Sequence, residues 1–211
     1  MTTSPSTQPR PSTQSPQGPV SQRQHILDTA LALMSQRGVD GTSMRDLASA
    51  AGLNVASLYH YFASKRELLV AVLQERGFID DLAGAAGRAA IARDEVDGLV
   101  SMLDDILGSM LEVEDFIRLM LGEVMRGDDT AHTVGVELFE ATQTALERWL
   151  EESEPTVCDG PGAPAVARVL RAFLVGVFFE HLAGVLEASG DARQAFRERS
   201  AEAAAVLRAR L

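Results

Sequence analysis

Between Thr42 and Lys65 the chain concentrates side chains that hold phosphate and base edges rather than break bonds. Thr42, Ser43 and Ser57 offer hydroxyls, Arg45 and Lys65 carry positive charge, and Asn54 both donates and accepts. Tyr59 and His60 add polar tips to flat rings, and Lys65 is the only lysine in 211 residues. Such a set in so short a span suits a nucleic acid, where phosphate contacts position and base contacts specify. Catalysis has no comparable grouping. His25, His60, His132 and His181 are far apart and lack a paired cysteine or an HxxxH spacing. No Gly-rich phosphate loop or nucleophile motif occurs, so neither an enzyme nor a cofactor or metal is expected.

These residues need elements to hold them. Ser43 followed three residues later by Asp46 is a capping-box start. Leu47, Ala48 and Ala51 give that helix a small apolar face. Gly52 falls where a helix C-terminus requires positive φ. Asn54 can cap a second helix, whose Val55, Leu58, Tyr59 and Phe62 recur at helical spacing. The pattern predicts a helix-turn-helix, Ser43–Ala51 then Asn54–Tyr61, with a further helix starting at Lys65 behind the cap Ser64. In this order and spacing, RDLA, AAGL, SLYHYF and SKRELL closely resemble the N-terminal signature of the TetR/AcrR family of bacterial transcription regulators. The resemblance runs from about Gln24 to Leu73 without gaps, roughly a quarter of the chain.

The net charge of −11 looks wrong for a nucleic-acid binder, so its distribution matters more than its sum. From Ser21 to Arg76 there are six basic and five acidic residues, whereas Gly77 to Leu211 carries 12 basic and 25 acidic. A near-neutral reader on an acidic body still binds DNA through its local phosphate-facing charge, and the body should repel DNA elsewhere. The single cysteine, Cys158, excludes an internal disulfide and has no neighbour that would lower its pKa. No run approaches a membrane span and the N-terminus lacks a signal peptide, so a cytoplasmic protein without a membrane partner is expected.

Residues 1–20, rich in Ser, Thr, Pro and Gln, read as a disordered tail. A first helix, Ser21–Arg37, carries the stripe Ile26, Leu27, Ala30, Leu33 and Met34 and ends at Gly38. The apolar stripe of the helix from Lys65 runs on past Gly77 towards Arg88, and this helix joins the reader (residues 21–68) to a body (residues 69–211). The body reads as amphipathic helices over Asp94–Val113, Glu114–Arg126, Asp128–Glu152, Pro164–Ala188 and Asp191–Leu211, with no strand pattern of useful length. The fold class is therefore all-α. Pro164–Ala188 is apolar nearly all round and needs cover on two sides, one of them from a partner.

The resemblance implies that the second helix enters the major groove while its flanks hold phosphates. Asn54 and Ser57 at its front can hydrogen-bond a base, and Val55 or Ala56 can meet a thymine methyl. Thr42, Ser43, Tyr59 and Lys65 match phosphate-contacting positions, Arg45 reaches phosphate or a base, and His60 faces the backbone. Leu58, Tyr61 and Phe62 read as packing. The resemblance also implies a homodimer through the last two helices and a body cavity for a small-molecule inducer. Candidate walls are Met102, Ile106, Met110, Phe116, Met120, Phe139, Phe173 and Val177, with His132, Gln143 and His181 as polar anchors. The expected function is a ligand-released repressor bound to double-stranded operator DNA. The alternative is a DNA-binding regulator with no small-molecule ligand, controlled by a protein partner or constitutive.

Overall fold

Glycines in the left-handed region close the ends of the first two helices, and these ends decide where the reader's pieces lie. The computed structural model describes residues 19–75, 98–153, 162–186 and 191–209. Helix α1 runs Pro19–Arg37, and Gly38 at φ +73° receives its end, donating its N–H to the Met34 carbonyl. Helix α2, Met44–Ala50, ends at Gly52 (φ +67°), where Leu53 N–H reaches back to Ala48 and Gly52 N–H to Ser49. Helices α3, Val55–Tyr61, and α4, Lys65–Glu75, complete this half. The body comprises α5, Gly98–Glu112; α6, Glu114–Met125; α7, Asp129–Ser153; α8, Ala163–Leu182; and α9, Ala192–Arg208. Among the described residues every regular element is a helix. The expected tail up to residue 18, the continuation of α4 towards Arg88 and the segment holding Cys158 lie outside the described residues.

Several helix ends differ from the sequence expectation, most by a single residue, and two of the larger differences have a clear cause. Helix α1 starts at Pro19 rather than Ser21, in keeping with the preference for proline at a first helical position. Helix α8 stops at Leu182, not Ala188. There Gly184, at φ +73°, donates to His181 and Val185 N–H donates to Glu180, a closed C-terminal turn that the apolar pattern running on to Val185 conceals.

The first four helices share one core. Ile26, Leu27, Ala30 and Met34 of α1 meet Leu47 and Ala48 of α2, Leu58 and Phe62 around α3, and Leu68, Leu69 and Val72 of α4, all buried. This core continues into the body, because α1 packs on α6 and α4 on α7. Polar ties cross the same junction. Ser35 donates to Asp115 at 2.9 Å, and Arg66 forms an ion pair with Asp128 and donates to Thr130 at 3.2 Å. In the body α7 lies along α8 and α6, and α5 along α9.

Candidate functional site

The reader's second helix is held by its own first residue and by its buried side. Asn54 caps α3, its Oδ1 accepting the Ser57 N–H at 2.7 Å. Leu58 and Phe62 are wholly inside the core, and they fix which face of the helix is left outward. On that face Asn54, Ala56, Tyr59 and His60 are exposed and Val55 and Ser57 partly so. The Tyr59 residue is 49% exposed, and its hydroxyl has no hydrogen-bond partner among the described residues. Upstream, Ser43 and Asp46 form the complete capping box: Asp46 N–H donates to Ser43 Oγ at 3.2 Å and Ser43 N–H to Asp46 Oδ2 at 3.0 Å. The bonds from the Ser43 hydroxyl and N–H hold the Asp46 carboxyl below its usual value.

Charge at this surface comes from three side chains. Arg45 is exposed on α2 and makes no ion pair among the described residues. Lys65 reaches across to the turn after α1, donating from Nζ to the Val39 carbonyl at 2.7 Å, and two of its three N–H bonds remain for another acceptor. Arg66 is already committed to Asp128. Thr42 is placed differently from expectation. It is 1% exposed, with its hydroxyl donated to Gly38 O at 2.9 Å, so its side chain holds the turn instead of facing outward.

In the body, α5, α6, α7 and α8 enclose a narrow apolar cavity of about 70 Å³. Ile106 and Met110 come from α5, Ile117, Met120 and Leu121 from α6, Leu138, Phe139 and Thr142 from α7, and Arg171, Leu174, Val175, Phe178 and Phe179 from α8. Phe139 and Phe179, 41% and 51% exposed, mark its mouth. Arg171 stands there too, its guanidinium 5.4 Å from the Phe139 ring centroid and its Nη1 donating to Phe139 O at 3.2 Å.

Residues 26–72 match the family described as bacterial regulatory proteins, tetR family. The chain is 45% identical over 67 residues to the HTH-type transcriptional repressor KstR2 of Rhodococcus jostii, 32% of this chain and 32% of that protein. KstR2 of Mycolicibacterium smegmatis is 28% identical over 154 residues, 71% of each chain. A transcriptional regulator of Pseudomonas aeruginosa superposes with a TM-score of 0.67 at 18% identity, over 92% of this chain and 93% of that one, a likeness of fold. The reader is a TetR-family domain. The match spans about a third of the length of the Rhodococcus relative.

Within the body the expected ligand residues separate into groups. Ile106, Met110, Met120 and Phe139 line the cavity. Met102, Phe116 and Val177 are buried at 0%, 1% and 5% and pack into the core instead. Phe173 faces a groove between α8 and α9, beside Val169, Ala203 and Val206. His132 is exposed on α7 outside the cavity wall. Gln143 bonds to Glu147 at 2.6 Å and to Pro164 O at 3.1 Å, tying α7 to the start of α8. His181 sits between the rings of Phe178 and Phe196, with Nε2 3.0 Å from Glu114 Oε2. Burial works to raise the Glu114 carboxyl, yet the bonds from His181 and Arg118 outweigh it and hold the group below its ordinary value. Sequence reasoning passed over the α8 wall. Arg171, Leu174, Val175, Phe178 and Phe179 fall at spacings of three, four, seven and eight, a single helical face that the all-round apolarity of α8 hides.

Proposed function

We propose that this chain is a sequence-specific DNA-binding transcriptional repressor that acts as a homodimer and leaves its operator when a small apolar or amphipathic ligand enters the body. The observation that carries the reading is the division of α3: Leu58 and Phe62 sunk in the core, and Asn54, Ala56, Tyr59 and His60 open to an approaching duplex. In this reading residues 21–68 form the DNA-binding domain and residues 69–211 the ligand-binding and dimerisation domain. Asn54, Val55, Ala56 and Ser57 meet base edges, while Ser43, Arg45, Tyr59, His60 and Lys65 meet phosphates. Thr42 serves by holding the turn that presents Ser43. The names of the relatives, both transcriptional repressors, support repression over activation.

The dimer reading rests on an uncovered face. Val169, Ala172, Gly176 and Phe179 stand exposed along one side of α8, and Val206 of α9 lies beside them at 60% exposure. A second copy laid on α8 and α9 covers this face and holds two reader helices about 34–36 Å apart, one turn of duplex. A ligand that changes the separation releases the DNA, and a coupling of about 1–3 kcal/mol suffices. The ties from α1 to α6 and from α4 to α7 are the route by which the body moves the reader. A gel-shift series tests the contacts: Tyr59→Ala and Lys65→Ala weaken binding alike on every sequence, whereas Ser57 variants change the preferred sequence. Undiminished affinity in both phosphate variants would refute the assignment.

A further inference from the structure

We infer that the cavity between α5, α6, α7 and α8 takes an amphipathic anion, a narrow apolar body bearing a carboxylate, with Arg171 as the group that selects the charge. This rests on the reading of the cavity as a ligand site and adds the chemical class. The walls, Ile106, Ile117, Met120 and Leu174 among them, are apolar apart from Arg171 and Thr142, and the Thr142 hydroxyl is already donated to the Leu138 carbonyl at 2.8 Å. Recognition of charge falls to the mouth, where Arg171 stands.

Its surroundings set Arg171 apart. Arg118, Arg126, Arg193, Arg197 and Arg199 of the body each hold a carboxylate. Arg171 holds none among the described residues, and neither do Arg148 and Arg168, but those two are exposed, whereas Arg171 is half-buried and lines the cavity. It is anchored instead by one hydrogen bond to the Phe139 carbonyl and by the face of the Phe139 ring. These contacts leave most of its five N–H donors free while fixing the plane of the guanidinium, the condition for a two-point bond to a carboxylate. A half-buried arginine over an apolar cavity, without a countercharge among the described residues, is placed to take that charge from a ligand. The narrowness limits the rest of the molecule. About 70 Å³ is well below the roughly 300–1,000 Å³ of sites for drug-sized ligands. A slender chain fits with small shifts of Met110 and Met120, whose unbranched side chains adapt readily.

The test uses the full chain and three probes of equal length, decanoate, decanol and decylamine, with binding read by calorimetry and by thermal shift. Decanoate is expected to bind at least about tenfold more tightly than decanol, with decylamine weakest, since a charge-assisted bond outweighs a neutral one by that order. Arg171→Gln should bring decanoate and decanol to the same affinity, and Arg171→Lys should restore part of the difference. Ile106→Trp, which fills the cavity, should abolish binding of all three. Equal binding of decanoate and decanol to the unaltered chain, or a preference that survives Arg171→Gln, overturns the charge selection and leaves the cavity as a ligand site. Binding unchanged by Ile106→Trp, or no binding of any probe, overturns the cavity reading as well.

Discussion

A hydroxyl without a partner among the described residues and a carboxylate with two partners are the two groups that say most about this chain. Tyr59 is held outward by the burial of its neighbour Leu58, so its ring and hydroxyl are available without any rearrangement of the helix. Lys65 does two jobs, because its bond to the Val39 carbonyl also pins the α1–α2 turn to the start of α4. Its removal should therefore reduce the salt dependence of DNA binding by about one unit of slope and also loosen the turn, whereas Tyr59→Phe affects binding alone. Glu114 gives a different prediction. Its carboxyl lies below the ordinary value of 4.5, so the stabilisation it supplies is present above that pH and fades as the pH falls through the lowered value. Acid unfolding followed by circular dichroism should become less steep below about pH 4.5 in Glu114→Gln. A curve identical to that of the unaltered chain would remove Glu114 from the account.

At the scale of the helix, stability and position come from ends as much as from faces. The Asn54 cap satisfies an N–H at the front of α3, so Asn54→Ala should cost about 1 kcal/mol in denaturant unfolding even before DNA is added. If stability is unchanged, the cap contributes nothing and Asn54 acts only at the duplex. The reader was readable in advance because its determinants are local: Ser43 bonds to Asp46 three residues on, and Gly52 closes the helix just before it. The body was less readable for the opposite reason. Met102 and Met110 occupy the same apolar stripe, yet one is sealed in the core and the other walls a cavity, a difference set by which distant helix lies opposite. Arg171 was overlooked for the same reason: its meaning depends on Phe139, thirty-two residues away. The end of α8 was missed because apolar residues continue beyond the glycine that terminates it.

For the whole molecule the arrangement of charge and apolar surface forms one argument. A near-neutral reader sits on an acidic body, and the body leaves Val169, Phe179 and Val206 uncovered in a single chain. Gly176 lies on that strip, and a Cβ there meets nothing within 4 Å. Gly176→Arg should accordingly fold as well as the unaltered chain, sediment as a monomer, and lose most of its affinity for operator DNA; a variant that remains dimeric would place the interface elsewhere. The central claim is that two copies of α3 are held for two successive turns of one groove. Selection of bound fragments from random duplex DNA by the full chain tests it most directly. The account predicts enriched sites with two-fold symmetry, half-sites about one helical turn or a multiple of it apart, and loss of that enrichment in Tyr59→Ala. Recovery of no preferred sequence, or of a single unsymmetrical half-site bound by one chain, would contradict it.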